Sequence, residues 1–137
     1  MADEVSLSES FWGVTRRLRA RWRESLAPWD VSPSHSRALG VLMQHGTMRL
    51  SELTEHLRIA ARSTTEVVDA LAARGLVERR DDPSDRRATL VALTNEGARV
   101  GKAIAHARDE TTAAFFDVLS ETDRKHLERI LRKLRAT

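Results

Sequence analysis

The stretch "DDPSDRRATLVALTNEG", Asp81 to Gly97, constrains this chain more than any other part of it. A densely charged segment broken by Pro83 is followed by alternation, with Thr89, Val91 and Leu93 on one side and Leu90 and Ala92 on the other. A period of two marks a half-buried strand. "LVERR", just upstream, has the same character, so the two runs predict a two-stranded β-hairpin around the charged segment. The loop, about Asp81 to Arg87, exceeds the two residues of a tight hairpin, and its tip is expected to project. Thr94 ends the hairpin and suits the N-cap of a following helix.

Everywhere else the apolar spacing is helical. Leu7, Phe11, Val14, Leu18 and Trp22 form one stripe, opened by a Ser6/Glu9 capping box and closed at Pro28. Ser32-Pro33 opens a second helix, carrying Ala38, Leu39, Leu42 and Met43 and stopping at Gly46. "LSELTEHL" is a short helix with Leu50, Leu53 and Leu57 on one face. After the break "RIAA" comes an amphipathic helix with Thr64, Val67, Val68 and Leu71 inward and Gly75 as its stop. Two short helices joined by a tight turn are the helix-turn-helix pattern. A long helix, about Asn95 to Leu119, follows the hairpin with Val100, Ile104, Ala107, Thr111, Phe115 and Val118 along one stripe. Ser120 to Asp123 caps a last helix with Leu127, Ile130, Leu131 and Leu134 inward.

The fold class is therefore mainly α with a small β-hairpin: a winged helix-turn-helix with N- and C-terminal dimerisation helices. Residues 1–32 are expected to form an N-terminal dimerisation helix and linker, 33–94 the winged domain, and 95–137 the C-terminal dimerisation helices. The outer stripes have no partner in the middle domain, and burial against a second copy would satisfy them. Leu7, Phe11, Val14, Leu18, Ile104, Phe115, Leu127 and Leu131 are the expected dimer interface.

Composition excludes several classes. The chain has no cysteine, so disulfides, thiolate metal sites and thiol chemistry are out. His35, His45, His56, His106 and His126 show no paired ligand spacing such as H-x-x-x-H, and no metal or other cofactor is expected. Neither a Gly-rich phosphate loop nor a nucleophile motif occurs, so the chain does not read as an enzyme. No apolar run approaches the ~20 residues of a membrane span. The acidic, polar start "MADEVSLSES" does not resemble a secretory leader. The chain reads as soluble and cytoplasmic, without a membrane partner.

Of 23 basic residues, three are lysine (Lys102, Lys125, Lys133) and the rest arginine, the better residue for forked contacts to phosphate and guanine. On the second short helix Arg62, Ser63, Thr65 and Glu66 point outward near the N-terminus, which itself favours phosphate. Arg can grip guanine, Ser and Thr suit bases or phosphates, and Glu accepts from cytosine. In the charged segment a projecting Arg86 or Arg87 can enter a narrow minor groove. Asp85 can hold a neighbouring arginine by a charge-assisted pair. Arg79 and Arg80 add positive charge near the same edge. Double-stranded DNA is the expected partner. Against this, residues 49–94 hold eight arginines (49, 58, 62, 74, 79, 80, 86, 87) and eight acids (52, 55, 66, 69, 78, 81, 82, 85), so DNA binding needs the arginines gathered on one face. A winged-helix protein-interaction module without specific DNA binding is the alternative that this neutrality supports.

The joined elements "GLVER", "DPSDRR" and "V-A-L-T-x-x-G" within "RGLVERRDDPSDRRATLVALTNEG" resemble the MarR family of bacterial transcription regulators. The flanking helices extend the resemblance over essentially the whole chain. It implies an obligate homodimer whose recognition helices enter the major groove, and whose wings enter the minor groove, of a pseudo-palindromic operator, most often as a repressor. It makes Arg87 the wing-tip residue and Asp85 its orienting partner, puts Ser63 and Thr65 on contact positions, and leaves Arg62 as a candidate for base specificity. Thr64 stands where an aliphatic residue is usual. Many members release DNA on binding small, often aromatic and anionic effectors between the lobe and the dimer helices. Trp12, Arg16, Trp29, His35 and His45 are the candidates for such a crevice, whereas Trp22 reads as packing.

Overall fold

The polar residues that flank each apolar run set the helix ends. The computed structural model describes residues 5–137; residues 1–4, the most acidic part of the polar start, lie outside it. Helix α1 (Leu7–Ser25) begins where the Ser6 hydroxyl accepts the Glu9 N–H at 3.2 Å. Pro28 falls in a short 3-10 turn, Ala27–Trp29. Helix α2 (Pro33–His45) is capped in the same way by Ser32, which accepts from the His35 N–H at 3.2 Å, and ends at Gly46 with φ 79°. Helices α3 (Leu50–Leu57) and α4 (Ala61–Ala73) follow, as their apolar spacing predicts. Ser120 caps α6 (Glu121–Arg135) by accepting the Asp123 N–H at 3.1 Å.

The sheet differs from the expected hairpin in two ways. Met48–Arg49 forms a third strand, β1, antiparallel to β3 (Asp85–Leu93), which in turn pairs with β2 (Val77–Asp82); the order is β1-β3-β2. Two residues carry no readable alternation. The charged segment, moreover, is mostly strand: only Pro83 and Ser84 turn at the tip. Register runs regularly from Val77↔Leu93 to Asp81↔Thr89 and then jumps to Asp82↔Asp85. One step on β2 spans four on β3, so Arg86, Arg87 and Ala88 are extra residues bulged out of the ladder. The wing projects through this bulge rather than through a long loop.

Leu39 and Leu42 of α2, Leu53 and Leu57 of α3, Val68 and Leu71 of α4 and Val91 of β3 close the core. On α4 the buried set is Thr64, Val67, Val68 and Leu71, as the spacing predicts, with Thr64 fully covered. Helix α5 (Asn95–Phe116) is tied to this core at its start: Thr94 accepts the Gly97 N–H at 3.0 Å and donates to the Gly75 carbonyl at 2.6 Å. A Cβ on Gly97 would overlap the Leu76 carbonyl, which explains the glycine of "T-x-x-G" by close backbone approach. Val100 and Ile104 of α5 are buried in the same core. Ile104 therefore departs from the expected interface set: at 6% exposure it packs within its own chain, because the first half of α5 lies on α2.

The terminal helices behave otherwise. Helix α1 packs on α5, where the Trp22 indole N–H donates to the Thr112 hydroxyl at 2.8 Å and the Arg108 guanidinium lies 3.9 Å over its ring, the packing role expected of Trp22. Yet neither α1 nor α6 has a buried residue. Leu7 is 88% exposed, and Phe11, Trp12, Val14, Val118, Ile130 and Leu134 are all exposed. Leu18, Phe115, Leu127 and Leu131 are half-buried. Ile130 and Leu134, expected inward, have nothing to turn toward in a single chain. Among the described residues no helix is long and apolar enough to cross a membrane.

Candidate nucleic-acid interface

The rotation of α4 follows from its buried face. With Thr64, Val67 and Val68 inward, Arg62, Thr65 and Glu66 face solvent and Ser63 is half-buried. Arg62 is 92% exposed at its side chain and lies 3.9 Å from Glu66, a loose i,i+4 pair that solvent screens. The Thr65 hydroxyl donates back to the Ala61 carbonyl at 3.1 Å. Little more than one turn of helix thus offers a guanidinium, hydroxyls and a carboxylate toward solvent.

Ion pairs resolve the neutrality of residues 49–94. Arg79 pairs with Asp69 of α4, and Arg80 donates to Glu78 on its own strand at 2.8 Å. Both are expected to face DNA; each remains exposed while its charge is paired with a carboxylate, and Arg79 ties β2 to α4. Arg74 donates to the Trp29 and Asp30 carbonyls at 2.6 and 2.7 Å, joining the end of α4 to the 3-10 turn. Among the described residues, Arg58, Arg86 and Arg87 alone of the eight arginines make no ion pair and no side-chain hydrogen bond. Arg86 and Arg87 sit on the wing bulge; Arg58 sits in the turn before α4.

Asp85 has a different partner from the one expected. Its carboxylate accepts the backbone N–H of Arg87 at 2.9 Å, not the guanidinium. It shapes the bulge from which Arg87 projects and leaves that side chain free.

The most tightly held group in the wing is one the sequence reading passed over. Asp82 is 8% exposed. It accepts the Ser84 N–H at 2.9 Å, the Ser84 hydroxyl at 2.7 Å and the Arg49 Nε–H at 2.8 Å. Arg49 is also the N-cap of α3, where its N–H donates to Glu52 at 3.3 Å. One carboxylate thus closes the wing turn and fastens it to the start of the helix-turn-helix. The Ser84 hydrogen bonds, with the Arg49 charge behind them, hold the Asp82 carboxyl below its ordinary 3.8 against the cost of desolvation. The signal was Asp-Pro-Ser, a dipeptide that initiates turns followed by a donor. Arg58 carried no signal: nothing local marks an arginine as a left-handed turn residue.

The five effector candidates are distributed over α1, the 3-10 turn and α2. His35 lines a shallow groove of about 360 Å³ with Arg23, Leu26, Ala27, Asp30, Val31 and Ser32. His45 stacks on His56 with ring centroids 4.3 Å apart. The two histidines are ten residues apart on α2, about 15 Å along the axis. Trp29 packs against the core, and Trp12 and Arg16 stand on the exposed part of α1.

Comparison with known proteins adds to this geometry. A sequence profile described as the MarR family matches residues 31–89, the span from the start of α2 to the bulge in β3. An HTH-type transcriptional regulator of Mycobacterium bovis is 34% identical over 124 residues, covering 90% of this chain and 82% of the relative. The HTH-type transcriptional repressor MdtR of Bacillus subtilis is 25% identical over 135 residues, covering 97% of this chain and 87% of the relative. A cysteine-to-serine variant of MarR from E. coli, crystallised in complex with operator DNA, superposes with a TM-score of 0.76 at 24% identity over 93% of this chain and 92% of that one, a likeness of fold. The winged helix-turn-helix, the outward face of α4, the bulged wing and the relative at 34% identity together make this chain a member of the MarR family of HTH-type transcription regulators.

Proposed function

We propose that the chain acts as a homodimer that binds a pseudo-palindromic operator in double-stranded DNA and represses transcription. The observation that carries this reading is the placement of the uncommitted cations: Arg86 and Arg87 on the wing bulge and Arg58 before α4, flanking the outward Arg62, Ser63, Thr65 and Glu66. In this reading α4 lies in the major groove, where Arg62 and Glu66 choose bases, and Arg87 enters the adjacent minor groove. Residues 33–94 are the DNA-binding part. Residues 1–32 and 95–137 pair with a second copy through Leu7, Phe11, Val14, Leu18, Phe115, Leu127 and Leu131, joined by the exposed Ile130 and Leu134. The pairing spaces two recognition helices about one DNA turn apart, ~34 Å. The repressor assignment is supported by the MdtR relative, itself a transcriptional repressor. The protein works in the cytoplasm beside its DNA and performs no catalysis. A small aromatic anion that shifts the helix spacing is the proposed releasing signal, with Arg23 of the groove as its cationic partner and His35 beside it.

Fluorescence anisotropy with the DNA immediately upstream of the gene, beside a shuffled duplex and at two salt concentrations, tests this. Tight, salt-sensitive binding to the upstream duplex alone is expected. Equal and weak binding to both duplexes would favour the protein-interaction module.

A further inference from the structure

Among the described residues four have positive φ: Gly46 (79°), Gly75 (71°), Asp30 (49°) and Arg58 (54°). The two glycines meet no Cβ penalty there. Aspartate visits the left-handed region more readily than most residues, and the Asp30 carbonyl is held in place by Arg74 at 2.7 Å. Arg58 has neither advantage. Its backbone makes the turn, with its N–H bonded to the Thr54 carbonyl at 3.0 Å. Its side chain contributes nothing to that turn: it is exposed, and among the described residues it pairs with no carboxylate and makes no hydrogen bond. A glycine or asparagine would form the same turn with less strain. Strained residues of this kind recur at functional sites, where the side chain does something the backbone alone does not require.

The position supplies that something. Arg58 stands three residues before Ala61, the first residue of α4. When the N-terminus of a recognition helix enters the major groove, the helix before it crosses the sugar–phosphate backbone, and the turn between them lies over the groove edge. Arg74, Arg79 and Arg80 are committed to carbonyls or carboxylates, whereas Arg58 joins the exposed Arg62 beside the start of α4 and, among the described residues, has no carboxylate partner, as Arg86 and Arg87 have none on the wing side. We propose that Arg58 is a phosphate-contacting residue of the DNA interface, adding one cation per lobe in the turn before the recognition helix, beside the base-facing Arg62. This rests on the DNA-binding reading above.

The test uses the full-length protein and its Arg58→Gly and Arg58→Lys variants. Each is titrated over a range of salt against two duplexes about 30 base pairs long, some three turns of DNA. One has random sequence; the other is enriched from a random pool by the parent. Arg58→Gly is expected to melt at the parent temperature or above it, because strain is relieved. It should nonetheless bind both duplexes about 3- to 10-fold more weakly, with a salt slope smaller by about 0.9 per lobe. Arg58→Lys should keep the slope and most of the affinity. A glycine variant with the parent's affinity and slope overturns the proposal and leaves the DNA-binding reading standing. One that melts well below the parent marks a structural role and overturns it too. Loss confined to the enriched duplex makes Arg58 a base reader, against the phosphate assignment. A parent that binds neither duplex sinks both readings.

Discussion

Between α2 and β3 the apolar side chains are closed off inside one chain: Leu39, Leu42, Leu53, Leu57, Val68 and Leu71 are each almost completely covered. On α1 and α6 residues of the same kind, Leu7, Phe11, Ile130 and Leu134, stand exposed. Charge separates the lobe from α1 as well. In the lobe, Arg49, Arg79 and Arg80 pair with Asp82, Asp69 and Glu78, whereas Arg16, Arg17, Arg19, Arg21 and Arg23 of α1 pair with no carboxylate among the described residues. The lobe satisfies its own side chains and spends few on anything else. The terminal helices leave apolar side chains uncovered within the chain. The difference predicts that lobe substitutions act on the folding of each chain, and terminal-helix substitutions act on assembly.

The sharpest way to break that comparison is to place charges on the exposed stripe. Each fully buried Leu or Phe is worth about 1.5–3 kcal/mol, so the Phe11→Asp/Leu134→Asp pair, present in both chains of the proposed dimer, removes several kcal/mol from association. Sedimentation should show a dimer in the parent and monomer, or unfolded chain, in the variant. A parent that sediments as a folded monomer would refute the assignment of these helices. Ile104→Asp is the matching lobe substitution. Since Ile104 packs in its own chain's core, the variant should unfold at every protein concentration, with no folded monomer in between.

Gly97→Ala comes next. Its new methyl meets the Leu76 carbonyl, a backbone atom that cannot swing aside as a side chain would. Overpacking of this sort costs about 1–3 kcal/mol. The melting temperature should fall, by an amount independent of protein concentration. An unchanged melting temperature would mean that α5 can move off the sheet without loss.

A smaller and purely functional effect is expected at the wing. Arg87→Ala touches no packing contact and no ion pair, so the melting curve should overlay the parent's. Operator affinity should drop more than about tenfold, equivalent to ~1.4 kcal/mol. Unaltered binding would remove the wing from the interface.

These outcomes depend on features that were unequally legible. Helix positions, caps and the inward face of α4 could be read because each rests on local chemistry: Ser6, Ser32, Thr94 and Ser120 all cap as their types predict. The bulge at Arg86 to Ala88 could not, since register is set by pairing across the sheet and not by either strand alone. Strand β1 was missed for the same reason. Ile104 was misplaced because an apolar stripe on a long helix does not say which turns meet the chain's own core and which meet a partner. The commitment of Arg79 to Asp69 and of Asp82 to Arg49 joins residues 10 and 33 positions apart, beyond any local pattern.

A finer test, of pH dependence, concerns Asp82, whose ion pair lies within the lobe and serves the wing. Its carboxyl is held below the ordinary 3.8 by Ser84 and then Arg49. In the folded chain it therefore stays ionised at pH values where the unfolded chain has already taken up a proton. Its contribution to stability is complete above the ordinary carboxylate range and is lost as pH falls through that range toward the folded value. Asp82→Asn keeps the shape and removes the charge. The gap in urea midpoint between parent and variant should be present at about pH 6 and narrow by about pH 3. Glu96, also held low by its hydrogen bond from Arg99, titrates alike in both proteins and cancels from the difference. Unlike Arg87→Ala, this variant should lose operator affinity and stability together at neutral pH, because a wing turn released from Arg49 no longer holds its angle to α3. A gap that stayed constant with pH would show that the charge of Asp82 does not fasten the wing, and that the turn is held by its geometry alone.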